Sequence, residues 1–108
     1  MIYRFDAALL FFNADYFKQR VRQAVAKTAQ PVRRFIFDME AISVIDITGL
    51  DALEEVRSEL SAKGIGFVVA RAKAELREHL VRAGSWERIG AENFHPSVRS
   101  AVQFALNE

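Results

Sequence analysis

The sequence predicts an α/β fold: a mainly parallel mixed sheet with an N-terminal antiparallel hairpin and about four helices. Two observations carry this expectation. The apolar period switches repeatedly between strand-like and helix-like along the chain, and Phe67-Val68-Val69-Ala70 is a continuous apolar run of the kind a strand buried on both sheet faces requires. A length of 108 residues with 51% apolar positions fits one domain spanning residues 1–108, with one core.

Taken in order, Tyr3 to Phe5 and Leu9 to Phe12 are short β-type runs separated by Asp6-Ala7-Ala8, and predict the antiparallel pair. Asn13 or Asp15 reads as a helix start. Phe17, Val21, Ala24, Val25 and Thr28 then recur on one helical face to about Ala29, and Pro31 stops the helix. Arg34 to Asp38 is β-favouring, and Ala41 to Ile45 is a second apolar approach to the turn Asp46-Ile47-Thr48-Gly49. The second helix follows with Leu53, Val56 and Leu60 inward and Glu54, Glu55, Arg57 and Glu59 outward, ending at Lys63-Gly64. Leu76 and Leu80 give a third helix that stops near Gly84. Ile89 is placed in a last short strand, and Val98, Ala101, Val102 and Ala105 mark a fourth helix after Pro96.

Composition narrows the function classes. Fifteen basic against fourteen acidic residues leave a formal net charge of +1, so no global field attracts nucleic acid. The absence of cysteine removes disulfide frameworks, thiolate catalysis and Cys-based zinc sites, and fits a cytoplasmic setting. No stretch has the length of a membrane helix and no secretory leader is legible, so the chain as given reads as soluble. No nucleophile triad or Gly-rich phosphate loop is present, and His79 and His95 lack partner ligands at metal-site spacing; neither catalytic nor metal residues are expected. Asp38, Glu40 and Asp46 read as turn formers and caps at strand ends.

The turn at Asp46 draws most attention. A hydroxyl at a helix N-terminus sits where unpaired N–H groups and the positive end of the helix dipole favour added negative charge, which makes Thr48 a candidate phosphorylation switch. Ordinary capping by Asp46 or Thr48 is the plainer reading. Arg71, Lys73 and Arg77 follow the buried strand, where open α/β sheets place ligands, and are candidate contacts for a nucleotide or anion; a solvated basic edge is the alternative. Leu9 to Phe12 with Tyr16 and Phe17 concentrate more apolar area than one strand face can bury, so part is core and part a candidate contact surface.

The ordered set Tyr3-Arg4-Phe5-Asp6-Ala7, Leu10-Phe11-Phe12-Asn13-Ala14, Asp38-Met39-Glu40-Ala41-Ile42 and Ile45-Asp46-Ile47-Thr48-Gly49 resembles the C-terminal STAS domain of SulP-family anion transporters. Ala70 to Lys73, Leu76-Arg77, Ile89-Gly90 and Phe94-His95-Pro96 extend the likeness over nearly the whole chain. The resemblance implies a non-catalytic regulatory and assembly domain at the cytoplasmic face of the inner membrane, partnered by the membrane domain of a sulfate or bicarbonate carrier. A second copy of the chain or a cytoplasmic protein are further partners it allows, with weak nucleotide binding and no other cofactor. It implies equally a free-standing anti-sigma-factor antagonist, in which Thr48 takes the position of the phosphorylated hydroxyl and Asp46, Ile47 and Gly49 complete the switch loop. Ile47 departs from that second pattern, where a small hydroxyl residue is usual. The Phe-Phe-Asn-Ala segment favours the transporter version, and the chain is then expected to be an excised part of a longer protein.

Overall fold

A computed structural model describes residues 1–107. The elements run β1 (Ile2–Arg4), α1 (Ala14–Ala26), β2 (Arg34–Asp38), α2 (Ile47–Ala62), β3 (Gly66–Ala70), α3 (Ala74–Arg82), α4 (Ser85–Ile89), β4 (Phe94–His95) and α5 (Val98–Leu106), with one 3-10 turn at Ala91–Asn93. The strands form a single sheet in the order β1-β2-β3-β4. Every pairing is parallel, with Tyr3 opposite Phe37 and Phe37 opposite Val69.

The alternation of side chains along the strands divides the core between the two faces. Phe35, Phe37, Phe67 and Val69 pack against Phe17 and Val21 of α1, Leu53, Val56 and Leu60 of α2, Leu76 and Leu80 of α3, and Ile89 of α4. Phe17 stacks on Phe37 with ring centroids 5.5 Å apart, and Phe35 on Phe67 at 5.8 Å. The opposite face carries a smaller cluster of Ile36, Val68 and Ala70 beneath Ala101 of α5. Because α5 packs on β2 and β3, the β1 edge of that face is left open.

Three expectations need correction. The N-terminal antiparallel hairpin does not form: β1 pairs in parallel with β2, and Leu9 makes an isolated parallel bridge to Ile45. Residues 5–13 are therefore a loop, and its apolar positions Phe5 and Leu9 are buried as core rather than as a strand face. Ile89 ends the short helix α4, bounded by Gly84 (φ 81°) and Gly90 (φ 98°), and the fourth strand comes instead at Phe94–His95. With α4 added, the described residues hold five α-helices. The positions assigned inward on α2 and α3 are all buried, and α1 ends at Ala26, earlier than the apolar spacing implied.

Candidate functional site

The turn between Ile45 and α2 is organised by one carboxylate. Asp46 occupies the N-cap with extended backbone (φ −100°, ψ −178°), and its Oδ1 accepts a hydrogen bond from the Gly49 amide at 2.8 Å. Its Oδ2 accepts another from the Phe11 amide, also at 2.8 Å. The Asp46 amide in turn donates to the Leu9 carbonyl at 3.2 Å, and the Leu9 amide to the Val44 carbonyl at 3.0 Å. One side chain thus caps a 16-residue helix and ties the 9–11 loop to its first turn. Asn13 supports the same loop from the other side, accepting from the Leu10 amide at 2.9 Å and donating to the Ala8 carbonyl at 2.8 Å.

This arrangement holds apolar side chains in solvent. Phe11 is 74% exposed, Phe12 69% and Ile47 77%, and Tyr16 and Val44 are more than half exposed. The Phe11 and Phe12 rings meet edge to face at 5.7 Å, Tyr16 lies one helical turn after Phe12, and the Phe11 backbone is bonded to the residue preceding Ile47. Leu9 and Phe17 are fully buried, so the apolar segment divides between core and surface as its density implied.

Asp46 is therefore the cap, and Thr48 stands exposed in the first turn of α2. Replacing Asp46 by alanine removes the cap and leaves the Phe11 amide without its carboxylate. A loss of about 2 kcal/mol in unfolding free energy is expected, measured by denaturant titration. An Asp46→Asn variant, which keeps an acceptor oxygen for the cap, should recover about half of it.

The basic residues after β3 do not converge. Arg71 adopts a left-handed backbone (φ 60°) and turns its guanidinium onto Asp38, with Nε 3.0 Å from Oδ1 and a second bond to Oδ2. Asp38 is buried and also has Arg4 3.7 Å away, while Arg4 reaches Glu40 at 3.0 Å and Asp6. Asp38 Oδ1 accepts from the Glu40 amide at 3.1 Å, so its turn-forming role holds, but the larger part of its bonding is an ion pair joining the ends of β2 and β3. Burial raises the Asp38 carboxyl's pKa; the hydrogen bond and charge of Arg71, the Glu40 amide and Arg4 outweigh this and hold it below the ordinary value of 3.8. Arg77 lies over the Trp86 ring at 5.5 Å, and Lys73 is exposed at the N-cap of α3. Among the described residues no group of three or more His, Asp or Glu is placed to hold a metal ion.

The structure is thus a parallel α/β unit in which an exposed apolar loop is fastened by Asp46 to the N-terminus of a helix. The chain belongs to the STAS domain family, whose model matches residues 1–101. Rv1739c of Mycobacterium tuberculosis, named a probable sulfate transporter, is 38% identical over 103 residues, which cover 95% of this chain and 18% of that protein. The fold superposes on murine Slc26a9, an anion transporter in its inward-facing state, with a TM-score of 0.89 at 24% identity over 99% of this chain and 18% of the other. It also superposes on a proposed anti-sigma factor antagonist from Thermotoga maritima, with a TM-score of 0.80 at 17% identity over 97% of this chain and 86% of that one. The chain thus spans less than a fifth of the transporters it resembles. No described helix is long and apolar enough to cross a membrane.

Proposed function

We propose that this chain is the non-catalytic regulatory and assembly domain of a SulP-type secondary anion transporter, carrying sulfate or bicarbonate, at the cytoplasmic face of the inner membrane. Residues 1–108 act as one unit, and the face formed by Phe11, Phe12, Tyr16, Val44 and Ile47 docks on the transporter's membrane domain. The observation that carries the reading is the fastening of that face by Asp46: its carboxylate joins the loop and the helix, so the apolar side chains are pre-ordered for contact at little further entropic cost. The 38% identity to a protein named as a sulfate transporter supports the class.

The test is anion uptake by the whole transporter carrying Phe11→Asp together with Ile47→Asp. Both side chains are exposed, so the isolated chain should keep its melting temperature within a few degrees, about the effect of a surface substitution. Uptake or membrane assembly should fall about ten-fold or more, as for removal of a central apolar contact. Unchanged uptake with normal assembly would remove the docking role.

Thr48 and the basic residues fit this reading as modulators. A phosphate on exposed Thr48 would add about −1.5 to −2 charge to the rim of the apolar face and weaken docking there. Lys73 and Arg77 remain candidate nucleotide or anion contacts, whereas Arg71 would have to release Asp38 to join them. The exposure of Thr48 also favours the second reading, an antagonist switched by phosphorylation at that hydroxyl. Mass spectrometry of the protein from its native host distinguishes the two: stoichiometric phospho-Thr48 would support the switch, and its absence across growth conditions would dismiss it.

A further inference from the structure

The short helix α4 depends on its neighbours. At five residues it is below the length at which a helix is stable by itself, so its state is set by what it packs against. Gly84 (φ 81°) precedes it and Gly90 (φ 98°) follows it, both in the left-handed region that glycine enters and leaves without a Cβ barrier. The chain can therefore rotate at both ends of α4.

The contacts that fasten it are opposed by a buried polar group. Ile89 belongs to the main core cluster with Leu76 and Leu80 of α3, on which α4 packs. The Trp86 ring stacks on Phe94 of β4 with centroids 3.9 Å apart, and the Arg77 guanidinium lies 5.5 Å from its centre. Arg88 reaches Glu54 of α2 at 3.3 Å, but its side chain is half exposed and such a pair adds little. Ser85 lies one turn before Ile89 on the buried side of α4. It is 2% exposed, and its Oγ has no hydrogen-bond partner among the described residues. A hydroxyl buried in this way opposes the closed position, and the penalty ends when water reaches it.

We infer that α4 is a hinged flap that swings from the core about Gly84 and Gly90 while the sheet, α1 and α2 stay folded. Opening breaks the Trp86–Phe94 stack and the Arg88–Glu54 pair, hydrates Ser85 and uncovers the part of the core that Ile89 seals beside Leu76 and Leu80. The domain thereby gains a second shape at its β4 edge without unfolding. The flap contains no residue of the Asp46 face, so the inference stands or falls independently of the docking role proposed above.

The test is hydrogen exchange of the chain, read by NMR at the amides of Arg88 and Gly90. These donate to the Gly84 carbonyl at 3.2 Å and the Trp86 carbonyl at 2.8 Å. Both should exchange at least about a hundred-fold faster than the amides of β2 and β3, at rates that low urea leaves unchanged, because a local opening exposes little new surface. Val21→Ala, which hollows the core beneath α1, should speed the β2 and β3 amides about ten-fold or more and leave Arg88 and Gly90 unaffected. Ser85→Ala removes the unpaired hydroxyl and should slow both flap amides about ten-fold. Trp86 is the one tryptophan of the chain, so quenching of the protein's fluorescence by acrylamide should weaken in the same variant. Exchange of Arg88 and Gly90 in step with β2 and β3, in the wild type or in Val21→Ala, would overturn the proposal. So would a Ser85→Ala variant whose flap amides exchange as fast as before, because the hydroxyl would then not oppose closure.

Discussion

Replacing Gly49 with alanine should lower the unfolding free energy by about 3 kcal/mol and the melting temperature by more than about 10 °C. A Cβ at this position would stand 2.2 Å from the Leu9 carbonyl oxygen and 2.9 Å from its carbon. Both are backbone atoms, so no side-chain rotation relieves the clash. Leu9 is itself held by its bonds to Val44 and Asp46, and moving it would break the link between the loop and α2. The requirement here is close approach, not an unusual backbone angle. By contrast, Gly64 has φ 76° and nothing within 4 Å of the place a Cβ would take, so a substitution there meets backbone strain alone, at about 1 kcal/mol. Thermal melts of the two alanine variants should separate these mechanisms, and only the Gly49 variant should also expose the loop amides to hydrogen exchange.

Asp38→Ala should cost about 2 to 3 kcal/mol, less than the full cost of breaking a wholly buried pair because Arg71 and Arg4 remain partly open to water. The pH dependence follows from the direction of the Asp38 shift. Its folded pKa lies below the ordinary carboxylate value, so the unfolded chain binds the proton more readily. The ion pair's contribution is fully present above about pH 5 and is lost as the pH falls through the unfolded and then the folded pKa. Glu54 acts in the same direction: the hydrogen bond from Arg57 lowers its pKa, against partial burial, with further help from Arg57 and Arg88 charge. Urea titrations at neutral pH and near pH 3 should show the wild-type chain losing more stability on acidification than Asp38→Asn does, by about 1 kcal/mol. Equal losses would mean that the ion pair contributes nothing to acid sensitivity.

The fold class and most elements were legible because local signals agreed with burial. Phe67 to Ala70 is apolar throughout because β3 is covered on both faces, and Leu53, Val56 and Leu60 recur at helical spacing because α2 buries one side. The hairpin expectation failed for a long-range reason. Phe5 and Leu9 have the composition of strand residues, yet their partners lie in α1 and at Ile45, and nothing within the segment specifies that choice. Ile89 misled because a five-residue helix between two positive-φ glycines has too few residues to display a period.

At the site, the Asp-Ile-Thr-Gly turn announced a helix start, and Asp46 does cap it. Its second bond, to Phe11 across 35 positions, has no sequence signature. Arg71 was grouped with Lys73 and Arg77 by proximity in the chain, but Asp38, 33 residues away, takes its guanidinium. Neighbouring cations in sequence form a shared site only if the backbone aims them together, and the left-handed turn at Arg71 directs it elsewhere. Asn13, read as a helix start, is indeed the N-cap residue of α1, but its side chain bridges the 8–13 loop instead of capping the helix, a use with no sequence signature.

The docking role of the Asp46 face is open to direct measurement because the chain contains no cysteine, so Ile47→Cys introduces a single thiol at an exposed position. In the first turn of α2 such a thiol should be readily ionised and reactive. Its rate of labelling by a water-soluble maleimide would be compared between the isolated chain and the same domain within the intact transporter, in a background otherwise free of cysteine. A rate at least about ten-fold slower in the intact transporter, with an exposed control thiol on α3 unaffected, is the predicted result. Equal rates in the two settings would contradict the assignment of this face to the membrane domain.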